Sequence, residues 1–338
     1  MAAQLDQMVT IGEEASYSST AIGTRGVLTR SDNWNDEVQE ISADGARAGR
    51  QAMFPSQNIH VFTGGSGQIE VPMTVSGMSM ICRHLLGAAA IASVSKTTGK
   101  RFTVASSPAG PQGSYTFWVR RVASDGKKHS SIYSGCMVTG WTLACSTGQA
   151  AVLTVNYDFA DSSTTVGDTP ANEPVPVYSD GRVYTWVDLA LSVDGSPFAV
   201  VTDFEFTVNN MLNTDRRYLK GTRVKSEPVR QGVPEFSGTM TAHLDDTGRE
   251  LADKWAGDGT FALTATFTAA DVNIASDPSA DTVRPTAVLT LPVVKPTGST
   301  PQFSLDSLTE ISVPFMAYMP SSGNAATLEL VASDTAWE

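Results

Sequence analysis

The clearest alternation of apolar and polar residues lies between Ser134 and Phe159. In its second arm every other residue is apolar, namely Ala151, Leu153, Val155, Tyr157 and Phe159. This period of two is typical of a strand with one buried face. Ser146, Thr147 and Gly148 supply the residues of a tight turn. We therefore predict a β-hairpin that directs Trp141, Leu153 and Val155 into the core.

A similar pattern recurs near the C-terminus, over Leu308–Val331. The turn there is Ser321, Ser322 and Gly323, and the matching apolar face is Ala326, Leu328 and Leu330. Each half of the chain also reads as strand, long loop, strand, helix, strands and hairpin. The sequence therefore predicts an internal duplication in which the turns at Gly148 and Gly323 are equivalent.

Two segments change from the strand period to helical spacing. Within Ser76–Ala90 the predicted helical face comprises Met80, Ile81, His84, Leu85 and Ala88. Asp245–Gly257 begins with two aspartates, which suit a helix N-terminus, and Leu251 and Trp255 are spaced as its anchors. We predict one short flanking helix in each half.

The predicted fold class is mainly β, with two tandem β-sandwich or β-barrel units. Residues 1–35 are interpreted as an N-terminal arm with one strand, and residues 36–160 as the first unit. Residues 161–183 are acidic and contain three prolines, which predicts a linker. Residues 184–338 form the second predicted unit.

Two long loops, Arg47–Gly67 and Met211–Val233, place aromatic and basic residues in otherwise polar sequence. We predict that they contact neighbouring subunits or rings; packing of the aromatics on their own domain is the alternative. The basic residues would pair with acidic groups of a neighbouring subunit, or alternatively contact DNA. The candidate residues are Arg50, Phe54, His60, Phe62, Arg216, Arg217, Tyr218, Lys220 and Arg223.

The formal net charge of −12 argues against a protein that wraps nucleic acid, which requires a positive surface. No run of about 18 apolar residues is present, so no membrane span is predicted. The N-terminus lacks the pattern of a secretion signal. Cys82, Cys136 and Cys145 are predicted to be buried thiols of a cytoplasmically made protein, with a cross-strand disulfide between Cys136 and Cys145 as the alternative.

No arrangement of residues points to catalysis. The four histidines lie in different predicted elements without metal-ligand spacing, and His84 is interpreted as a packing residue. No nucleophile elbow or phosphate-binding loop is present. We therefore predict no enzymatic activity, no catalytic or metal-binding residues and no cofactor.

Three stretches resemble the major tail tube proteins of long-tailed (siphovirus-type) bacteriophages. They are SGCMVTGWTLACSTGQAAVLTVNYDFAD, VTDFEFTVNNMLNTDRRYL, and the FSGTMTAHLDD…LADKW unit that leads to TLPVV. The resemblance implies packed β-sheets with a flanking helix, assembled as stacked rings around an acidic-lined channel through which DNA passes during ejection. It spans nearly the whole chain after about residue 35.

The resemblance also implies partners and a location. The partners would be further copies of the chain, the tape measure protein, and the tail terminator and tail tip proteins, with DNA passing without specific binding. The duplication favours a trimeric ring with pseudo-six-fold symmetry, and a hexamer is the alternative. The expected location is the virion tail, assembled in the host cytoplasm. Alternative functions are another ring or tube component, at a tail tip or in a contractile injection tube, or a carbohydrate-binding β-sandwich.

Overall fold

The structure is a computed structural model that describes residues 7–23, 25–42, 58–123, 126–167, 173–179, 181–243, 257, 259–279, 281–298, 300–302 and 310–337. The first strands are β1 (Met8–Glu13), β2 (Arg25–Gly26), β3 (Ser31–Asp36), β4 (Gln39–Ser42), β5 (Asn58–Phe62), β6 (Gly65–Pro72), β7 (Gly87–Ser93), β8 (Lys100–Ser106), β9 (Tyr115–Val122), β10 (Lys128–Ser146), β11 (Val152–Phe159) and β12 (Asp161–Gly167). The later strands are β13 (Leu189–Val193), β14 (Ser196–Pro197), β15 (Val201–Asn209), β16 (Leu212–Asn213), β17 (Val229–Arg230), β18 (Glu235–His243), β19 (Phe261–Thr268), β20 (Thr286–Pro296), β21 (Thr300–Gln302), β22 (Glu310–Tyr318) and β23 (Thr327–Ala332). One α-helix, α1 (Ser79–Arg83), and a 3-10 turn at Trp186–Asp188 complete the described elements.

A long antiparallel sheet runs through both halves of the chain. Its strand order is β3, β6, β11, β10, β15, β18, β22 and β20, each hydrogen-bonded to the next. Strand β21 continues β20 along β22. The halves meet where the C-terminal part of β10 pairs with β15, from Gly140 opposite Asn209 to Ser146 opposite Asp203.

The long strands β10 and β20 also enter two further sheets through their N-terminal parts. One sheet has the order β1, β9, β10, β12. The other has the order β13, β19, β20, β23, β8, β7. Inward side chains of the three sheets form one apolar core that extends through both halves. The fold is therefore mainly β, as predicted.

The predicted N-terminal hairpin is confirmed. β10 and β11 pair from Met137 opposite Asp158 to Ala144 opposite Val152. Trp141, Leu153 and Val155 are fully buried, so the predicted face is the inward one. The Trp141 indole donates a hydrogen bond to the Leu85 carbonyl oxygen at 3.1 Å, which satisfies its polar group inside the core.

The predicted C-terminal hairpin is wrong in its pairing. β22 and β23 do form strands with the predicted alternation, but each pairs with β20 rather than with the other. β23 pairs with β8 on its second edge. Alternation determines which face of a strand is buried, whereas either edge can accept any compatible neighbour.

The predicted helix over Ser76–Ala90 is shorter in the structure. It comprises only α1, and β7 begins at Gly87. Gly87 has a φ of +120°, and a Cβ there would lie 2.4 Å from the Gly110 oxygen, so the chain turns sharply at this point. His84 is buried as predicted, with Nε2 3.1 Å from Glu13 Oε1. The second predicted helix, Asp245–Gly257, lies outside the described residues except for its last residue.

The N-terminal segment, predicted as an arm with one strand, is part of the folded core. Val9 and Ile11 of β1 lie in the core, and the strand pairs with β9.

All three cysteines are buried free thiols, as predicted. Cys136 and Cys145 lie on the same strand, β10, so the alternative of a cross-strand disulfide is wrong.

Candidate assembly interface

The second long loop, Met211–Val233, is anchored at its base to the first half of the chain. β16 and β17 close the base as a short ribbon. Arg230 donates hydrogen bonds to the carbonyl oxygens of Asn210 and Ser107. The Asn210 amide donates to the carbonyl oxygens of Leu85 and Val138, at 3.2 Å each. Buried Asn210 therefore attaches the base of this loop to β10 and to the segment that follows α1.

A buried ion pair holds the middle of the same loop. Lys225 is only 2% exposed, and its ammonium contacts the Asp158 carboxylate on β11. It also donates to the Gly65 carbonyl oxygen at 3.5 Å. Burial raises the pKa of Asp158 to about 6, while the positive charge of Lys225 opposes part of that rise. Removing either charge alone would leave its partner buried without a counter-ion.

The predicted basic and aromatic residues of this loop fall into two groups. Arg217 and Arg223 contact the first half, Arg217 through its side chain, which donates to the Thr63 carbonyl oxygen at 3.3 Å. Arg223 does so through its backbone carbonyl oxygen, which accepts from the Thr63 amide at 3.3 Å, while its side chain is exposed. Arg216, Tyr218 and Lys220 lie at the exposed tip. The Arg216 guanidinium lies 5.6 Å from the centre of the Tyr218 ring. Lys220 donates to the Ser226 hydroxyl at 3.0 Å.

Of the first long loop, Arg47–Gly67, the structure describes residues 58–67. There β5 pairs with β4, which precedes the loop, as a two-stranded ribbon. His60 lies 3.0 Å from Glu40, and both side chains are exposed. Ile41 and Ile59 are exposed on the same ribbon. Arg50 and Phe54 lie outside the described residues, as does the side chain of Phe62. Thr63 brings the base of this loop against the second loop.

Two cavities lie beside the long loops. The first, of about 590 Å³, contains the ion pair and is lined by residues that include Tyr157, Asp158, Arg217 and Lys225. The second, of about 450 Å³, is an apolar groove that we call the Met316 groove. Its lining includes Val233, Phe236, Met316, Tyr318 and Met319.

The face of the central sheet opposite the core is mostly polar from β3 to β18. Its outward residues include Asn33, Gln68, Glu70, Thr142, Thr154, Asn156, Asp203, Glu205, Thr207, Thr239 and Thr241. Arg30 lies 3.1 Å from Glu70 at one edge of this face. Short hydroxyl and amide side chains predominate, and acidic groups outnumber basic ones among these outward positions.

The described ranges of the chain contain no group of three or more His, Cys, Asp and Glu side chains arranged to hold a metal ion. Within the same ranges, no helix combines the length and apolar character that a membrane crossing requires.

A family model described as phage tail tube protein matches residues 6–317. The chain belongs to the phage tail tube protein family. A search of curated proteins gave no match. Membership identifies the chain as a structural component of the virion tail, one that self-assembles into the tube and associates with other tail components. A structural family of this kind agrees with the predicted lack of enzymatic activity.

Sequence reasoning missed the ion pair that holds the middle of the second loop. In the sequence, Asp158 falls on the polar face of a predicted strand, and Lys225 is one of several basic residues in the loop. The only available signal was an acidic residue near the end of an otherwise buried strand, where burial requires a partner.

Proposed function

We propose that this chain is the building block of the phage tail tube, in which rings of three copies stack around a channel for DNA. The observation that carries the proposal is the central sheet. It consists of two successive groups of four strands, and among the described residues the strand at each end has a partner on one edge only. Among the described strands, β3 pairs only with β6, and β21 pairs only with β22. Open edges are aggregation-prone unless another chain pairs with them.

Matching strand pairing supports an internal duplication. In the first half the order is β3, β6, β11, β10, and in the second it is β15, β18, β22, β20. The outer sheets match as well: β1–β9–β10–β12 corresponds to β13–β19–β20–β23. We infer that the two units run over residues 8–167 and 189–332. The turn at Gly148 then corresponds to the connection between β21 and β22, rather than to Gly323.

Local details of the register support the same correspondence. Gly67 pairs with Trp34 and Tyr157, and Gly238 pairs with Phe206 and Phe315, so each half has a glycine between two aromatic residues. β10 shifts register between Val138 and Gly140, opposite β11. The second half is interrupted at the same place, between β20 and β21 opposite β22.

The seam between the halves indicates how copies would join. Within the chain, the end of β10 pairs with β15. The corresponding elements are β21 and β3, which are the two open ends of the central sheet. If β21 of one copy paired with β3 of the next, the contact between two chains would have the same form as the contact between β10 and β15 within one chain. Such a head-to-tail contact forms a ring when its rotation closes. Two units per chain favour a trimer with pseudo-six-fold symmetry over a hexamer.

The polar outer face of the central sheet is suited to line the channel. Its short hydroxyl and amide side chains carry no positive charge that would attract phosphate. Asp203 and Glu205 are exposed on the same face. An acidic, weakly interacting wall would let DNA pass without binding. The remaining expected partners are the tape measure, tail terminator and tail tip proteins, and assembly would take place in the host cytoplasm.

Negative-stain electron microscopy of the purified intact chain tests this proposal. We expect rings or tubes with apparent six-fold density, and a mass of three chains per ring by native mass spectrometry. Protein that stays monomeric over a wide range of concentration and salt would contradict the proposal. Six chains per ring would support the hexameric alternative.

A further inference from the structure

Resting on the proposed function, we infer that the Met316 groove receives the first long loop of a second copy, with Met53 and Phe54 of that loop in the groove. The groove would be an interaction surface within the ring, and the segment that binds in it would come from another copy of the same protein. We infer this contact from the second loop, which covers the first half of its own chain in the same manner.

The internal seam provides the precedent. The second loop leaves β15, crosses over β10 and reaches β6 and β11 of the other unit. There Lys225 contacts Asp158 and the Gly65 oxygen. If β3 of one copy pairs beside β21 of the next, the first loop stands in the same relation to β18 and β22 of that neighbour. It would then cover the end of β22.

The residue that corresponds to Asp158 is Met316. Asp158 on β11 lies opposite Ser66 on β6 and Met137 on β10. Met316 on β22 lies opposite Ser237 on β18 and Lys295 on β20. The two positions therefore share their place in the sheet, but one carries a charge and the other an apolar side chain.

Counting along the two loops identifies the residues that correspond to Lys225. Lys225 follows Phe206 by nineteen residues, and Met53 follows Trp34 by nineteen. Lys225 also precedes Gly238 by thirteen residues, and Phe54 precedes Gly67 by thirteen. The two loops differ in length by one residue, so the equivalent position is Met53 or Phe54.

At each of the two sites, the loop residue and the sheet residue have matching chemical character. Inside the chain, a lysine on the loop meets an aspartate on the sheet. Between chains, Met53 and Phe54 on the loop would meet Met316 and an apolar lining. Val233 and Met319 of that lining are 84% and 69% exposed in the single chain, whereas Asp158 is covered by its loop. Exposed apolar patches of this kind mark interaction sites.

A cross-linking experiment tests the contact directly. Full-length Phe54→Cys and Met316→Cys variants are mixed, assembled and oxidised, and chains are separated on a non-reducing gel. The three native cysteines are buried, so they add little background. We expect a chain dimer that each variant alone does not give, with Met53→Cys and Met316→Cys as the second pair. Val187→Cys, at an exposed site outside the groove, replaces Met316→Cys as the control and should give no dimer.

A charge transplant adds an independent measurement. Met316→Asp should raise the concentration needed for half-assembly at least about tenfold, because it places an unpaired charge in an apolar contact. Adding Phe54→Lys should restore much of the loss by recreating the internal ion pair. The melting temperature of the unassembled Met316→Asp subunit should match that of the parent, and Val187→Asp should assemble normally.

The outcomes separate this inference from the proposed function. Tubes that give no cross-link with either loop variant, and that tolerate Met316→Asp, would contradict the inference alone. Failure of the intact chain to form rings or tubes would contradict the proposed function and this inference with it.

Discussion

In the proposed duplication the two long loops have the same place in their units, but the described parts of the two loops differ in their surroundings. The second loop lies on the other half of its own chain, held by Lys225, Arg230 and Asn210. In the first loop, the hydrogen bonds of the β4–β5 ribbon join its two strands to each other, and Ile41 and Ile59 face solvent. A loop that is satisfied within the chain stabilises the fold, whereas a loop with exposed apolar groups is suited to bind another copy.

The largest expected effect separates these two roles. Deleting Phe54–Phe62 removes β5 and the four residues before it and leaves the three main sheets intact. We expect a soluble, folded subunit that no longer forms tubes. Thermal unfolding reports on folding and electron microscopy on assembly. Tubes of normal length from the deleted protein would show that the first loop is not an assembly element.

Substitutions that release the second loop should lower the free energy of unfolding of the subunit, and not only its assembly. Lys225→Ala leaves Asp158 buried without its counter-ion and should cost about 3–5 kcal/mol at pH 8. The pKa of Asp158, already raised to about 6 by burial, should rise further in this variant. A raised carboxyl pKa favours the folded protein at low pH and loses that contribution as pH rises through it. The cost should therefore be smaller at pH 5.

The matched control is Lys220→Ala, at the exposed tip of the same loop. Its effect on the free energy of unfolding should stay within about 0.5 kcal/mol at both pH values. Denaturant unfolding measures both variants. Equal effects of the two substitutions would mean that the Lys225–Asp158 pair does not hold the loop.

In the core, by contrast, we expect equivalent substitutions in the two halves to lower the free energy of unfolding by similar amounts. Leu153 on β11 and Ile311 on β22 are both buried, and the proposed duplication makes their positions equivalent. Leu153→Ala and Ile311→Ala should each cost about 2–5 kcal/mol. Thr154→Ala, on the outward face, is the control. A loss below about 1 kcal/mol at Leu153 would place this residue at the surface.

The smallest expected effect concerns metals. The histidines are scattered in sequence, which predicts that metal chelators leave the melting temperature of the subunit unchanged. A clear fall in melting temperature on chelation, reversed by added metal, would overturn this prediction. Differential scanning fluorimetry with and without chelator is sufficient to decide it.

The sequence determined most of the long strands and which of their faces are buried, but it missed β7, predicted as part of a helix, and β12, predicted as the start of a linker. The alternation in β10, β11, β15, β18, β19 and β22 was readable because side chains on a strand point to opposite faces in turn. Segments of β10, β11, β15 and β18 also carried the resemblance to the tail tube family. The candidate loop residues followed from apolar and basic side chains in polar surroundings, although the sequence did not separate the anchoring Arg217 from the exposed Tyr218.

Only the tertiary structure decided which strands are neighbours. β22 and β23 alternate as a hairpin would, yet both lie along β20, because backbone hydrogen bonds carry no side-chain identity and the best-packed arrangement selects the partner. Tertiary contacts likewise limited α1 to Ser79–Arg83 and placed the residues after it in β7. The role of Lys225 was decided in the same way. A lysine in a loop is ordinarily solvated, and only the approach of Asp158 from a distant strand made its burial possible.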